Sequence, residues 1–153
     1  MNKETALACL AIAALALPAS ADESHAMVNP GEIKWGDAPP VLPKGAKAAV
    51  LYGDPSKAGP FVMRLQAPAN YRIAPHWHTN AELVTVISGS LAMGMGDAID
   101  AKAHVVKAGG FAAVPGKAHH YAVTKGATVI QINGEGPFDM TYVNAADDPS
   151  GKK

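Results

Sequence analysis

The chain has 153 residues, room for one domain, and its 13 lysines and arginines balance 13 aspartates and glutamates for a formal net charge of +0. No stretch concentrates one sign, which argues against nucleic acid or an anionic membrane surface as partner and for a small-molecule ligand. The one cysteine, Cys9, sits in the apolar N-terminal run, so the rest of the chain offers neither disulfide nor thiolate, and any metal site must use nitrogen and oxygen.

In chain order, Lys3, the apolar stretch "ALACLAIAALAL" from Ala6 to Leu17, and Ala19-Ser20-Ala21 form a basic start, an apolar core and an A-x-A cleavage site. They predict a secretory signal over residues 1–21 and a mature protein that begins near Asp22, secreted or periplasmic and not held in a membrane once cleaved. A membrane anchor needs about 18 or more apolar residues, and Pro18 ends this run first. Residues 22–46, with "NPGE" and "GDAPPVLPKG", read as an extended, proline-rich N-terminal segment.

Short strand-like runs then follow at intervals of about ten residues, bounded by Gly, Pro, Asn and Asp: "KAAVLYG", "FVMRLQA", "YRIAPHWH", "AELVTVIS", "SLAMGMG", "HVVKA", "GFAAVP", "HHYAVT", "ATVIQING" and "FDMTYVN". This rhythm predicts an all-β sandwich or barrel over residues 47–145. The apolar window Leu83 to Met95 is broken by Ser88-Gly89-Ser90 and rich in β-branched residues, so it reads as a hairpin. Residues 96–106 read as a loop with a helical turn. The tail, residues 146–153, is polar and is expected to be flexible.

The chemistry concentrates in "PHWHTNAE". On a strand, residues two apart share a face, so His76 and His78 point the same way. Glu82, after the turn "TNA", can fold back toward them and add a hard oxygen. A fourth ligand is on offer in "PGKAHHY", from His119 or His120. Three imidazoles and a carboxylate suit one divalent transition metal ion, Fe, Mn, Ni, Cu, Co or Zn, with a position left for water or substrate. His25 and His104 lie in the N-terminal segment and between lysines in a loop, and are expected to be solvated.

These residues resemble the two motifs of the cupin superfamily, in particular small secreted single-domain cupins. His76, His78, Glu82 and Gly89 stand at the spacings of the first motif, with Asn70 in place of its leading glycine. Gly109, Pro115 and His120 match the second, while Lys117 and Thr124 replace its later glycine and its asparagine. The resemblance implies a double-stranded β-helix, a jelly roll of two antiparallel sheets, with His76, His78, Glu82 and His120 as metal ligands. Neighbours on a strand face opposite ways, so only one of His119 and His120 can reach the metal, and the resemblance selects His120, which stands five residues after Pro115 as the second motif places its ligand.

Two functions follow from that resemblance. One is a metal-dependent dioxygenase acting on a small neutral or aromatic organic substrate, with Glu82 also a catalytic base. The other is a non-enzymatic module that binds or senses a small molecule or the metal. Arg64, Gln131 and Tyr142 are candidate pocket residues, Gln131 because it shares its parity with Val129; Arg64 alternates with Phe61, Met63 and Leu65, which by itself turns it away from that apolar set to a solvated outer face, and Met63, Met93, Met95 and Met140 are expected to fill the core. A homodimer paired through sheet edges, as cupins often form, is the expected assembly.

Overall fold

Glycine and proline cut this chain into runs too short for packed helices, and the β-branched residues in those runs favour a pleated, half-buried surface. The computed structural model describes residues 25–100 and 102–151; the expected signal segment lies outside them. Eleven strands result: β1 (Gly36–Asp37), β2 (Lys47–Tyr52), β3 (Gly59–Ala67), β4 (Arg72–Trp77), β5 (Glu82–Ser88), β6 (Ser90–Met95), β7 (His104–Lys107), β8 (Phe111–Val114), β9 (His120–Thr124), β10 (Thr128–Gly136) and β11 (Thr141–Tyr142). Each expected run carries a strand, although the last, "FDMTYVN", contributes only two residues. The helical turn expected within residues 96–106 is absent among the described residues, and β7 occupies the end of that stretch; short 3-10 turns lie instead at Pro30–Glu32, Ala145–Asp147 and Pro149–Gly151.

Two antiparallel sheets form the jelly roll, one in the order β1-β2-β3-β10-β5-β8 and the other β11-β4-β9-β6-β7. Their inner faces alternate as a period of two requires. Along β3 the buried set is Phe61, Met63, Leu65 and Ala67, and along β10 it is Thr128, Ile130 and Ile132. With Val84, Val86, Ile73, Leu91 and Met93 these side chains make one core between the sheets, each large one contributing about 1.5–3 kcal/mol by leaving water. Met95 is the exception to the expected core methionines, at 57% exposed, because β6 ends there at the rim.

Two irregularities place the site. The register between β4 and β9 runs Ile73 to Ala122 and then His76 to His120, so β4 advances three residues where β9 advances two. The extra residue is a bulge at Ala74-Pro75 that changes which parity faces inward. Tyr71 and Ile73 point inward before it, and His76 and His78 after it. The second irregularity is the turn before β9, where Lys117 adopts φ 65 and Asn70, in the matching turn before β4, adopts φ 59. Asparagine takes that left-handed region readily, whereas lysine pays about 1–2 kcal/mol for it. The turn is fixed by the Lys117 backbone N–H, which donates to the His78 carbonyl at 2.7 Å. A side chain at Gly116 would put a Cβ 2.5 Å from the Thr79 carbonyl oxygen, so only glycine allows this approach.

Candidate metal centre

His76 comes from the end of β4 and His78 from the residue directly after that strand, Glu82 from the first residue of β5 and His120 from the first residue of β9, and all four are at most 6% exposed. The end of the barrel thus gathers residues that are up to 44 positions apart in the chain (76 to 120). The ring nitrogens of the three histidines that face one another lie within 4.8 Å. Glu82 Oε2 is 3.2 Å from His120 Nε2 and 3.9 Å from His78 Nε2. Ligands about 2.0–2.2 Å from a common ion lie about 3 Å or a little more apart, so the spacing suits a shared cation.

The tautomers agree with that use. Nδ1 of His76 donates to the Ala74 carbonyl at 2.8 Å, Nδ1 of His78 to the Asp139 carbonyl at 2.5 Å, and Nδ1 of His120 to the Ala118 carbonyl at 3.0 Å. A carbonyl can only accept, so each ring proton sits on Nδ1 and each Nε2 presents a lone pair. Nε2 of His78 and of His120 are fully buried with no hydrogen-bond partner, the Glu82 oxygen being close but not aligned. Leaving buried polar atoms unmade costs about 1–3 kcal/mol each. Two converging orphaned lone pairs beside a buried carboxylate are what a metal ion would satisfy, and the donor set fits one.

Electrostatics keep the donors in the ligating form. Burial, and then the neighbouring His120, push His76 down to about 3, and burial pushes His78 below the usual imidazole range. Burial alone would raise Glu82, but the polar contact with His120, and after it the neighbouring His78 and His76, outweigh it and hold the carboxyl below its ordinary value. His76 and His78 are therefore neutral and the Glu82 carboxylate ionised at neutral pH.

A family model described as a domain of unknown function (DUF4437) matches residues 11–141. The chain belongs to the DUF4437 family. It has the cupin fold: an RmlC-like cupin from Shewanella frigidimarina NCIMB 400 superposes with a TM-score of 0.58 at 14% identity, over 73% of this chain and 91% of that one. A protein from Methylibium petroleiphilum PM1 provisionally named an acetylacetone dioxygenase superposes with a TM-score of 0.65 at 19% identity, over 85% and 88% of the two chains. The polyketide cyclase RemF from Streptomyces resistomycificus gives 0.67 at 17% identity, over 83% and 91%. Among curated proteins, none matches the chain in sequence.

In this DUF4437 chain the centre opens on a cavity of about 430 Å³ that runs between the sheets and is lined by Met63, Leu65, Ile73, Leu91, Met93 and Ile130 among others. None of the three expected pocket residues lines it. Arg64 and Gln131 are cross-strand partners on the outer face of the larger sheet, where Arg64 Nε donates to Gln131 Oε1 at 3.1 Å. Their neighbours Leu65 and Ile130 take the inner face, so strand alternation excludes both. Tyr142 is buried with its ring 6.1 Å from that of His76, but it lies outside the cavity lining, and its hydroxyl donates to the Val41 carbonyl at 2.8 Å. Its role is to tie down the N-terminal segment. His119 is 39% exposed at its side chain and pairs with Asp97 at 2.5 Å, outside the centre.

Other residues around the centre were not foreseen. Phe138 stacks on the His78 ring at 4.4 Å and 16°. Asp139, whose carbonyl accepts from His78, is itself held by Thr79, whose N–H donates to Oδ1 at 2.7 Å and whose hydroxyl donates to Oδ2 at 2.5 Å. Thr79 thus fastens the turn after the ligand pair to the loop that orients one of them. Val41 and Leu42 line the cavity from the N-terminal segment, and the Tyr71 hydroxyl holds that segment by donating to the Pro43 carbonyl at 2.5 Å. A signal for Phe138 and Asp139 was present in "GPFDM", an aromatic and an acid beside glycine and proline just after a strand.

Proposed function

We propose that the protein is a metal-dependent oxygenase of the dioxygenase type, acting after export on a small neutral or aromatic organic substrate. The observation that carries this reading is the convergence of the orphaned Nε2 atoms of His78 and His120 with His76 and the Glu82 carboxylate at the end of an apolar cavity. A metal bound there would supply a Lewis-acid and redox centre with positions open to small molecules. His76, His78 and His120 would hold it as neutral donors oriented by their backbone carbonyls. Glu82, ionised and buried, is the one carboxylate that could also take a proton from a substrate lying beside it. Phe138, Met63 and Met93 would keep bulk water from the reacting groups.

A binding or sensing role for the same centre is favoured by a different observation: every polar side chain that lines the cavity, the four centre residues apart, already has an internal partner, so Glu82 has no second acid or base beside it. Elemental analysis of the native protein followed by oxygen-uptake assays with phenols and diketones separates the two. Stoichiometric metal with oxygen consumption in step with substrate supports the oxygenase, metal with saturable binding but no consumption supports the sensor, and no metal overturns both.

A further inference from the structure

The polar inventory of the cavity goes further than its general apolarity. Tyr71 Oη is committed to the Pro43 carbonyl, and Thr124 Oγ1 donates to the Pro68 carbonyl at 2.7 Å while accepting from the Tyr71 N–H at 3.0 Å. Thr128 Oγ1 is shared between the Ser90 and Gly126 carbonyls at 3.0 Å each. Nearer the surface, Asp139 is held by Thr79, Asp37 by the Lys47 ammonium at 2.6 Å, and Ser56 by Asp54 at 2.6 Å. Among the described residues no lysine or arginine lines the cavity. A ligand polar group placed away from the centre would lose its water and find no free partner, which disfavours it. An anionic one would in addition face the carboxylates of Asp37 and Asp139.

The centre lies at one end of this space. From the level of His120, the inward residues of β9 continue through Ala122 to Thr124, about 13 Å along the strand. Opposite them stand Ile132, Ile130 and then Thr128 of β10, with Met63 and Leu65 of β3 beside the isoleucines. Polarity therefore falls from the histidines to a hydrocarbon-walled interior whose far hydroxyl groups are already bonded.

We infer that the cavity takes a one-headed ligand: an uncharged molecule whose polar atoms all lie at one end, against His76, His78, Glu82 and His120, and whose remaining body is hydrocarbon, aliphatic or aromatic, seated against Leu65, Ile73, Leu91 and Ile130. This rests on the reading of the four residues as a metal centre for a small molecule, and it excludes sugars, dicarboxylates and phosphate esters as substrates of that centre.

Hydroxamates test it, because one chelating head can carry different tails. Titration calorimetry of the metal-loaded protein should show benzohydroxamate binding at least ten-fold more tightly than acetohydroxamate, and 4-carboxybenzohydroxamate at least ten-fold more weakly than benzohydroxamate. Metal-free protein should bind none of them measurably. Ile130→Phe, which fills the interior, should weaken benzohydroxamate ten-fold while leaving acetohydroxamate within two-fold, and Ile130→Met gives the same contrast in smaller measure should the larger side chain disturb folding. Equal affinity across the tails, no loss from the tail carboxylate, equal binding to metal-free protein, or no binding of any hydroxamate would each overturn the inference. Turnover is not read, so a protein that consumes no oxygen can still show the full tail series, and an active oxygenase can still fail it.

Discussion

The two histidine-bearing segments use the same residue type to different ends. In residues 76–78 a single residue separates the rings and both enter the barrel, whereas in residues 119–120 the rings are adjacent, so His120 is 1% exposed while His119 meets Asp97 at the surface. Chemistry does not distinguish His119 from His120; strand parity does. The lesson is that a histidine here becomes a ligand through its register and the carbonyl that holds its Nδ1, and that those two conditions can be perturbed separately.

The largest effect should come from removing a ring on each side of that divide. His120→Ala is expected to lower metal affinity by more than about 100-fold, beyond the range typical of outer-shell changes, while His119→Ala keeps its metal. Metal content after dialysis against a weak chelator decides it, and the reverse pattern would transfer the ligand role to His119.

Acid should separate the segments next. His76 is held at about 3 by burial and by His120, against about 6.5 in an unfolded chain. Between those values the unfolded state binds the extra proton, so stability of the metal-free protein is full above about pH 6.5 and declines as pH falls toward about 3, with a slope approaching about 1.4 kcal/mol per pH unit for each such group. The lowered carboxyl of Glu82 acts in the same direction below its unfolded value. Denaturant melts of metal-free protein at pH 7, 5 and 4 should show this decline, and His76→Gln should flatten it; a pH-independent melt would mean the rings are not buried as neutral donors.

A subtler change tests the carbonyl condition alone. Thr79→Val removes the hydroxyl bond to Asp139, and thereby loosens the carbonyl that orients His78, without touching a ligand. About a ten-fold loss of metal affinity is expected, with recovery in Thr79→Ser. Metal competition titrations would show whether the valine variant matches the parent, in which case the Asp139 loop plays no part in positioning His78. The smallest effect belongs to the outer pair: Asp97→Ala should leave metal content unchanged and shift stability by no more than about 1 kcal/mol, as exposed ion pairs do.

Much of this was legible from the chain. The strand runs showed because each is short, apolar on alternate residues and closed by a turn residue, and the centre showed because three of its four ligands fall within seven consecutive residues, 76–82. Gln131 misled because "TVIQI" has apolar residues on both parities. The set Thr128, Ile130 and Ile132 faces in, and Val129 is only half-buried on the outer face beside Gln131. The walls supplied by Val41 and Leu42 were hidden for another reason. They lie in a non-periodic segment, where nothing in the local pattern says which part of the barrel the chain will cross.

The bulge at Ala74-Pro75 has a consequence for how such a chain can change over time. It acts as a phase shifter, so that the half of β4 that fills the core and the half that carries the ligands keep separate counts. Substitutions at Tyr71 or Ile73 can be absorbed as ordinary repacking, with the ligands unaware of them. Loss of one residue at the bulge is a different event: β4 and β9 would then advance in step, two residues for two, with His76 and His78 still facing inward, but the backbone at Ala74 whose carbonyl holds Nδ1 of His76 would be displaced. Insertions and deletions between Ile73 and His76 should therefore be far rarer among descendants that keep the function than substitutions at the same positions.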